Sequence, residues 1–185
     1  MGAAREGCLV LVVGPSGAGK DTLLRIAARR LAAQPRIVFG RRIVTRLADA
    51  FEDHDSMGAA AFDAAQAQGA FVLSWRAHGH GYGVPAAAAA ERLGSGDTIV
   101  FNVSRAAVAA ARERFARVRV VYVAAPPEEL ARRLAARGRD PDVAARLARA
   151  EALARGEDSD LVIDNVGDPE RHGETLAAFL AATLS

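Results

Sequence analysis

Gly14-Pro15-Ser16-Gly17-Ala18-Gly19-Lys20-Asp21-Thr22 is the stretch on which the reading of this chain turns. The apolar run before it, 8–13, has the length and composition of a buried strand. Leu23-Leu24-Arg25-Ile26-Ala27-Ala28 after it reads as the start of a helix. Strand, glycine-rich turn, lysine and helix together are the context in which G-x-x-x-x-G-K cradles phosphate. Glycine lets the backbone curl around phosphate oxygens, where a side chain would block the approach. The loop N–H groups and the helix N-terminus add partial positive charge, and Lys20 adds a full one. Gly14, Pro15, Ser16, Gly17, Ala18, Gly19, Lys20, Asp21 and Thr22 are therefore the expected nucleotide-phosphate site.

Lys20 is the only lysine among 24 basic residues, the others all being arginine. Such a composition keeps lysine where a compact ammonium on a flexible stem suits phosphate. The loop also departs from the usual pattern. The residue after the lysine is commonly Ser or Thr, whose hydroxyl meets Mg²⁺; here it is Asp21, followed by Thr22. A carboxylate serves as a Mg²⁺ ligand directly or through water, so Asp21 and Thr22 are both candidate metal contacts.

The whole chain narrows the classes. With 185 residues it is expected to form one domain with a sizeable core. Net charge is +2, and the arginines are scattered rather than gathered in a basic tail, which argues against nucleic acid as a partner. A single cysteine, Cys8, sits inside the first strand and rules out a disulfide framework. No stretch has the length of a membrane span and residues 1–7 lack a leader pattern, so the expected location is cytoplasmic.

Strand and helix patterns alternate along the chain. Residues 20–33 read as an amphipathic helix ended by Pro35, and 37–39 as a short strand. The basic stretch 40–46 and an acidic, loop-like 47–57 follow, then a helix over 58–68 and a strand over 71–75. Arg76-Ala77-His78-Gly79-His80-Gly81-Tyr82-Gly83-Val84-Pro85 is too rich in glycine and polar residues for a core element and is expected to be a ligand-gripping loop. A helix over 86–93, strands over 98–103 and 118–123, a helix opened by Pro126-Pro127-Glu128-Glu129, a strand over 161–163 and a closing helix over 169–184 complete the pattern. The predicted fold class is α/β, a parallel sheet covered on both faces in three α/β/α layers.

Six arginines, Arg132, Arg133, Arg137, Arg139, Arg146 and Arg149, flank a break marked by Gly138 and Pro141. An arginine-rich flap of this kind would exclude water and neutralise charge developing on a transferred phosphoryl group. Arg137 and Arg149 are the expected catalytic residues of that lid, about 132–149; Arg132 and Arg133 are expected on the surface.

These residues resemble the guanylate kinase-like P-loop nucleoside monophosphate kinases, through the loop, Thr45-Arg46, Tyr82-Gly83, and Arg137-Gly138 with Arg146 and Arg149. They are more similar to one branch, the ribose 1,5-bisphosphate phosphokinases, through Gly19-Lys20-Asp21, the run from Phe71 through Ser74-Trp75-Arg76-Ala77-His78-Gly79, Asn102-Val103-Ser104-Arg105 and Arg137-Gly138-Arg139. The resemblance covers residues 8 to 165 and implies a nucleoside monophosphate kinase-like fold with an acceptor-binding insertion, about 37–85, and an arginine lid. It implies transfer of the ATP γ-phosphoryl group, with Mg²⁺, to the 1-phosphate of ribose 1,5-bisphosphate, in phosphonate catabolism and 5-phosphoribosyl 1-diphosphate biosynthesis. Arg46, Arg76, His78 and Tyr82 are the acceptor contacts it suggests; the partner is a small sugar phosphate, and a homodimer is the candidate assembly. Two alternatives stand beside it. A guanylate kinase would want an E-x-x-G-x-D-Y arrangement, which Glu52-Asp53-His54-Asp55-Ser56-Met57 does not supply. A non-catalytic binding module would typically have lost the loop lysine.

Overall fold

The computed structural model of the chain describes residues 6–47, 54–77, 79–136 and 158–184. Its centre is strand β1 (Cys8–Val13), six residues that are all buried. The alternation of a strand sends Cys8, Val10 and Val12 into one core and Leu9, Leu11 and Val13 into another, so β1 separates two hydrophobic layers. A strand buried on both faces must be apolar throughout, which is why its sequence runs continuously rather than alternating.

Five parallel strands form the main sheet in the order β2 (Ile37–Phe39), β7 (Thr98–Asn102), β1, β8 (Val118–Ala124), β9 (Leu161–Asp164). One face is covered by helix α1 (Lys20–Arg30), the closing helix α6 (Pro169–Ala182) and α5 (Pro127–Ala135), through Leu23, Ile26, Leu130, Leu176 and Leu180. The α1 and α6 backbones come close because Gly173 lies under Ile26, where an added Cβ would stand 2.3 Å from that side chain. The opposite face carries α4 (Ala106–Arg114) through Ala107 and Ala111. The expected three-layer architecture holds.

A second sheet shares that opposite face. It has four strands in the order β4 (His54–Ser56), β3 (Arg42–Val44), β6 (His80–Pro85), β5 (Phe71–Ala77), with helices α2 (Ala59–Ala67) and α3 (Ala86–Gly94) next to it in the chain. Leu73 and Val84 join it to Leu11, Ile99 and Phe101 of the main core. This sheet falls within the stretch 37–85, and it corrects the expectation of a loop over 47–57. The basic stretch 40–46 contains a strand, and part of the acidic run, His54–Ser56, pairs with it in parallel.

The expected loop at 76–85 is instead a hairpin, with β5 and β6 antiparallel and Ala77 opposite His80. Its glycines serve close approach more than turning. Gly81 lies under the Phe62 ring and Gly83 under Phe71, where a Cβ would come within 2.8 Å and 2.6 Å. Only Gly79, at φ +77°, sits at the turn. Glycine therefore marks backbone covered by aromatic rings, and Phe62 and Phe71 stack with centroids 4.7 Å apart above it.

Among the described residues no helix is long and apolar enough to cross a membrane.

Candidate active site

The glycine-rich loop leaves the carboxyl end of β1, between its neighbours β7 and β8, and enters α1 at Lys20. Crevices outside the carboxyl ends of central parallel strands are where open α/β sheets bind ligands. Gly14 has φ +140°, and a Cβ there would meet the Val123 carbonyl oxygen at 2.1 Å, so only glycine lets the loop turn off β1 against β8. Gly19, at φ +91°, caps α1, and its carbonyl accepts the Leu23 N–H at 3.1 Å. The α1 N-terminus thereby faces the cleft.

Lys20 folds back over the loop. Its Nζ donates to the carbonyls of Gly14 at 2.8 Å and Pro15 at 2.9 Å, spanning the turn with one ammonium. Behind the loop the structure adds two supports. Asn165 is 4 % exposed, and its Nδ2 donates to the Ala18 carbonyl at 2.6 Å. Arg133 donates to the carbonyls of Gly17, Ala18 and Asn165 through its two terminal nitrogens, and its Nε donates to Glu129 at 2.7 Å. Arg133 was expected on the surface, and this is a correction. The helical register of α5 aims it at the back of the loop, while Arg132, one residue earlier, stays 70 % exposed. Glu129 bonds both guanidinium groups; the hydrogen bond from Arg132, then that from Arg133, holds its carboxyl down to about 2.

Asp21 and Thr22, the candidate metal contacts, both line the cleft. Asn102, at the end of β7, donates its amide to Asp21 Oδ1 at 2.7 Å. Ala18 differs from its neighbours in the loop: its side chain is fully buried and packs into the core, so it contributes backbone alone.

The cleft has a volume of about 570 Å³, and its far wall comes from the second sheet. Arg42 and Arg46 reach it from β3 and the residues after it, Trp75 and Ala77 from β5, His80 and Tyr82 from β6. Trp75 and Tyr82 stack with centroids 5.3 Å apart and planes within 6°, so the tryptophan is both packing and wall. Thr45 pins this wall: its Oγ1 accepts the Gly81 N–H at 2.9 Å. Among the described residues, Lys20, Arg42, Arg46 and Arg105 give the lining four cations against the one carboxylate of Asp21. A concave site with that imbalance attracts polyanions.

The structure brings Arg46 and Tyr82 to the cleft but not Arg76. On a strand, successive side chains point to opposite faces. With Trp75 and Ala77 facing the cleft, Arg76 turns outward, 62 % exposed and paired with Asp63 on α2. His78, Arg137, Arg139, Arg146 and Arg149, with Glu52 and Asp53, lie outside the described residues. Sequence reasoning missed Arg42, His80 and Arg133 as site residues. The alternation of β5 and β6 about the Gly79 turn would have signalled His80, had the hairpin been recognised.

Loop, parallel sheet and cationic wall define a P-loop kinase of the guanylate kinase-like fold. A solved guanylate kinase from Anaplasma phagocytophilum superimposes with a TM-score of 0.74 at 22 % identity, over 96 % of this chain and 86 % of that one. A family model described as an AAA domain matches residues 10–154. Among curated proteins, the ribose 1,5-bisphosphate phosphokinase PhnN of Methylobacterium radiotolerans is 56 % identical over 178 residues, covering 95 % of this chain and 98 % of its own. The protein of the same name from Acidiphilium cryptum is 50 % identical, covering 97 % of this chain and 94 % of its own. The chain belongs to the ribose 1,5-bisphosphate phosphokinase family.

Proposed function

We propose that this chain phosphorylates ribose 1,5-bisphosphate with ATP, giving 5-phosphoribosyl 1-diphosphate and ADP. The observation that carries the reading is the wall of Arg42, Arg46 and His80 facing the phosphate loop across one cleft, with two fixed guanidinium charges among them. Family membership over nearly the whole chain supports the same reading. An oxygen of the acceptor's 1-phosphate attacks the γ-phosphorus of ATP, the bond from that phosphorus to the bridging oxygen breaks, and ADP leaves. The attacking oxygen is already anionic, so no general base is needed, and Asp21 is the one carboxylate of the lining among the described residues. Catalysis then falls to positioning and charge neutralisation.

Lys20 exchanges its two loop carbonyls for phosphate oxygens and follows the transferred group. The loop N–H groups and the α1 N-terminus hold the remaining phosphate charge. The residues fit Mg²⁺: one carboxylate and one hydroxyl, Asp21 and Thr22, stand beside the loop. Hard oxygen donors of this kind suit that ion, which takes few ligands from the protein where phosphates are bound. Held there by Asp21 and Thr22, Mg²⁺ would supply positive charge that offsets both the Asp21 carboxylate and the ATP phosphates. On the acceptor side, Arg46 takes a phosphate and Tyr82 supports the sugar together with His80. Arg137 and Arg149, and His78, keep the roles the family resemblance implies, closing the lid and contacting the acceptor.

A coupled ADP-release assay with Mg-ATP tests the reading, with ribose 1,5-bisphosphate and GMP offered in parallel. Turnover with the bisphosphate, and 5-phosphoribosyl 1-diphosphate as product, is expected. Turnover with GMP alone would replace this reading by that of a guanylate kinase.

A further inference from the structure

Among the described residues, more than half of the arginines pair with a carboxylate. Arg36 meets Asp97, Arg41 meets Asp55, Arg76 meets Asp63, Arg119 meets Asp160 and Arg133 meets Glu129. Arg42 departs from this pattern while being among the most buried charged residues. It is only 9 % exposed, has no carboxylate partner among the described residues, and donates Nη1 to the Asn102 carbonyl at 2.9 Å. Its Nε is buried with no hydrogen-bond partner there.

A buried guanidinium with an unsatisfied N–H and no counter-charge is costly to the folded state. Such a group is retained where a ligand completes it. Arg42 stands in the cleft wall, on β3, four residues before Arg46. Its carbonyl partner Asn102 is the residue whose amide bonds Asp21, so Arg42 is one residue removed from the loop side of the cleft. A planar fork with N–H groups to spare suits a tetrahedral oxyanion, which it binds in bidentate fashion.

We propose that Arg42 is a second phosphate anchor of the acceptor site, whose missing counter-anion is a phosphate group of the sugar substrate. The inference rests on the reading of the acceptor as a sugar bisphosphate, since two phosphates need two cations. Arg46 alone could hold one phosphate; the pair accounts for a doubly phosphorylated acceptor. It follows that Arg42 costs the unliganded protein stability and returns it on binding.

The test is thermal unfolding of wild type and Arg42→Met, unliganded and then with the loop filled by a non-hydrolysable Mg-ATP analogue. Ribose 1,5-bisphosphate or inorganic phosphate is added to the filled protein. Wild type should gain a further rise in Tm with either compound, and Arg42→Met should lose that rise while keeping the rise due to the nucleotide. Unliganded Arg42→Met should melt no lower than wild type, because removing an unpaired buried charge offsets the lost contact. A variant that keeps the acceptor's rise, or loses the nucleotide's rise with it, overturns the proposal.

Arg42→Lys, which keeps the charge, provides a kinetic check. KM for the bisphosphate should rise at least about tenfold, as for a lost hydrogen bond to a charged group, with KM for ATP unchanged. An equal rise in both overturns the anchor and leaves a structural arginine. Failure of the wider reading looks different. If wild type releases no ADP with the bisphosphate, but the phosphate-induced rise disappears in Arg42→Met, the activity falls and the anion site stands. If neither phosphate nor bisphosphate raises the Tm of the filled wild type, the anion site falls.

Discussion

The side-chain amide of Asn102 donates to the Asp21 carboxylate at 2.7 Å, tying the end of β7 to the first turn of α1 across the floor of the cleft. One carboxylate oxygen is thus held in place, which fixes how the other is presented to the loop. Partners of this kind orient a metal-binding group without touching the metal. Asn102→Ala should raise the Mg²⁺ concentration for half-maximal rate by about tenfold or more. Magnesium titration of the ADP-release rate measures this; an unchanged midpoint would remove Asp21 from the metal site.

Lys20 donates to the Gly14 and Pro15 carbonyls of its own loop and lines the cleft rather than the core. Lys20→Ala should lower kcat by roughly a hundredfold to a thousandfold, the scale of losing one donor aimed at developing charge. Circular dichroism and Tm should stay close to wild type. Activity within a few-fold of wild type would show that the loop amides suffice.

Arg133 and Glu129 brace the loop from behind, and the brace is titratable. Because the Glu129 carboxyl titrates at about 2 in the folded chain against an ordinary value of 4.5, its stabilisation is complete above 4.5 and is lost as pH falls toward 2. Glu129→Gln should therefore melt lower than wild type at neutral pH, and the two should converge in acid. Arg133→Met leaves the Gly17, Ala18 and Asn165 carbonyls without this donor and should cost about 1–3 kcal/mol, with KM for ATP raised. Urea unfolding at several pH values follows both variants. A constant gap between Glu129→Gln and wild type across the acid range would contradict the assignment.

Arg46 and Arg76 offer a contrast within one sequence motif set. Arg46 lines the cleft; Arg76 pairs with Asp63 on the outer face. Arg46→Ala should raise KM for the bisphosphate at least about tenfold, whereas Arg76→Ala, losing an exposed ion pair, should change it less than about twofold. Steady-state kinetics with each variant separates them. Equal effects would mean that β5 presents its other face when the acceptor binds.

The main sheet was legible because its strands are buried on both faces and therefore announce themselves as apolar runs, β1 and β7 most plainly. The loop was legible because its spacing is dictated by the shape of a phosphate. The second sheet was not. Its strands β3 and β4 are three residues long, one of them His-Asp-Ser, and propensity has little to act on at that length. The hairpin was disguised because glycines 81 and 83 look like turn residues, while their reason lies in Phe62 and Phe71, distant in sequence. Arg42, too, could be read only with its neighbours in place: a charge without a partner is a property of packing. The same holds for Arg133, whose helix alone does not reveal that its side chain ends at a carbonyl more than a hundred residues away.

That the chain contains a single lysine, and that this lysine arches over the phosphate loop, makes the protein its own chemical reporter. An acylating reagent directed at ε-amines has one target here beside the α-amine. Mass spectrometry of the peptide carrying Lys20 would follow occupancy of the loop directly, with no engineered label and no second lysine to subtract. Because the rest of the positive charge is arginine, the footprint of a bound nucleotide reduces to the protection of one atom.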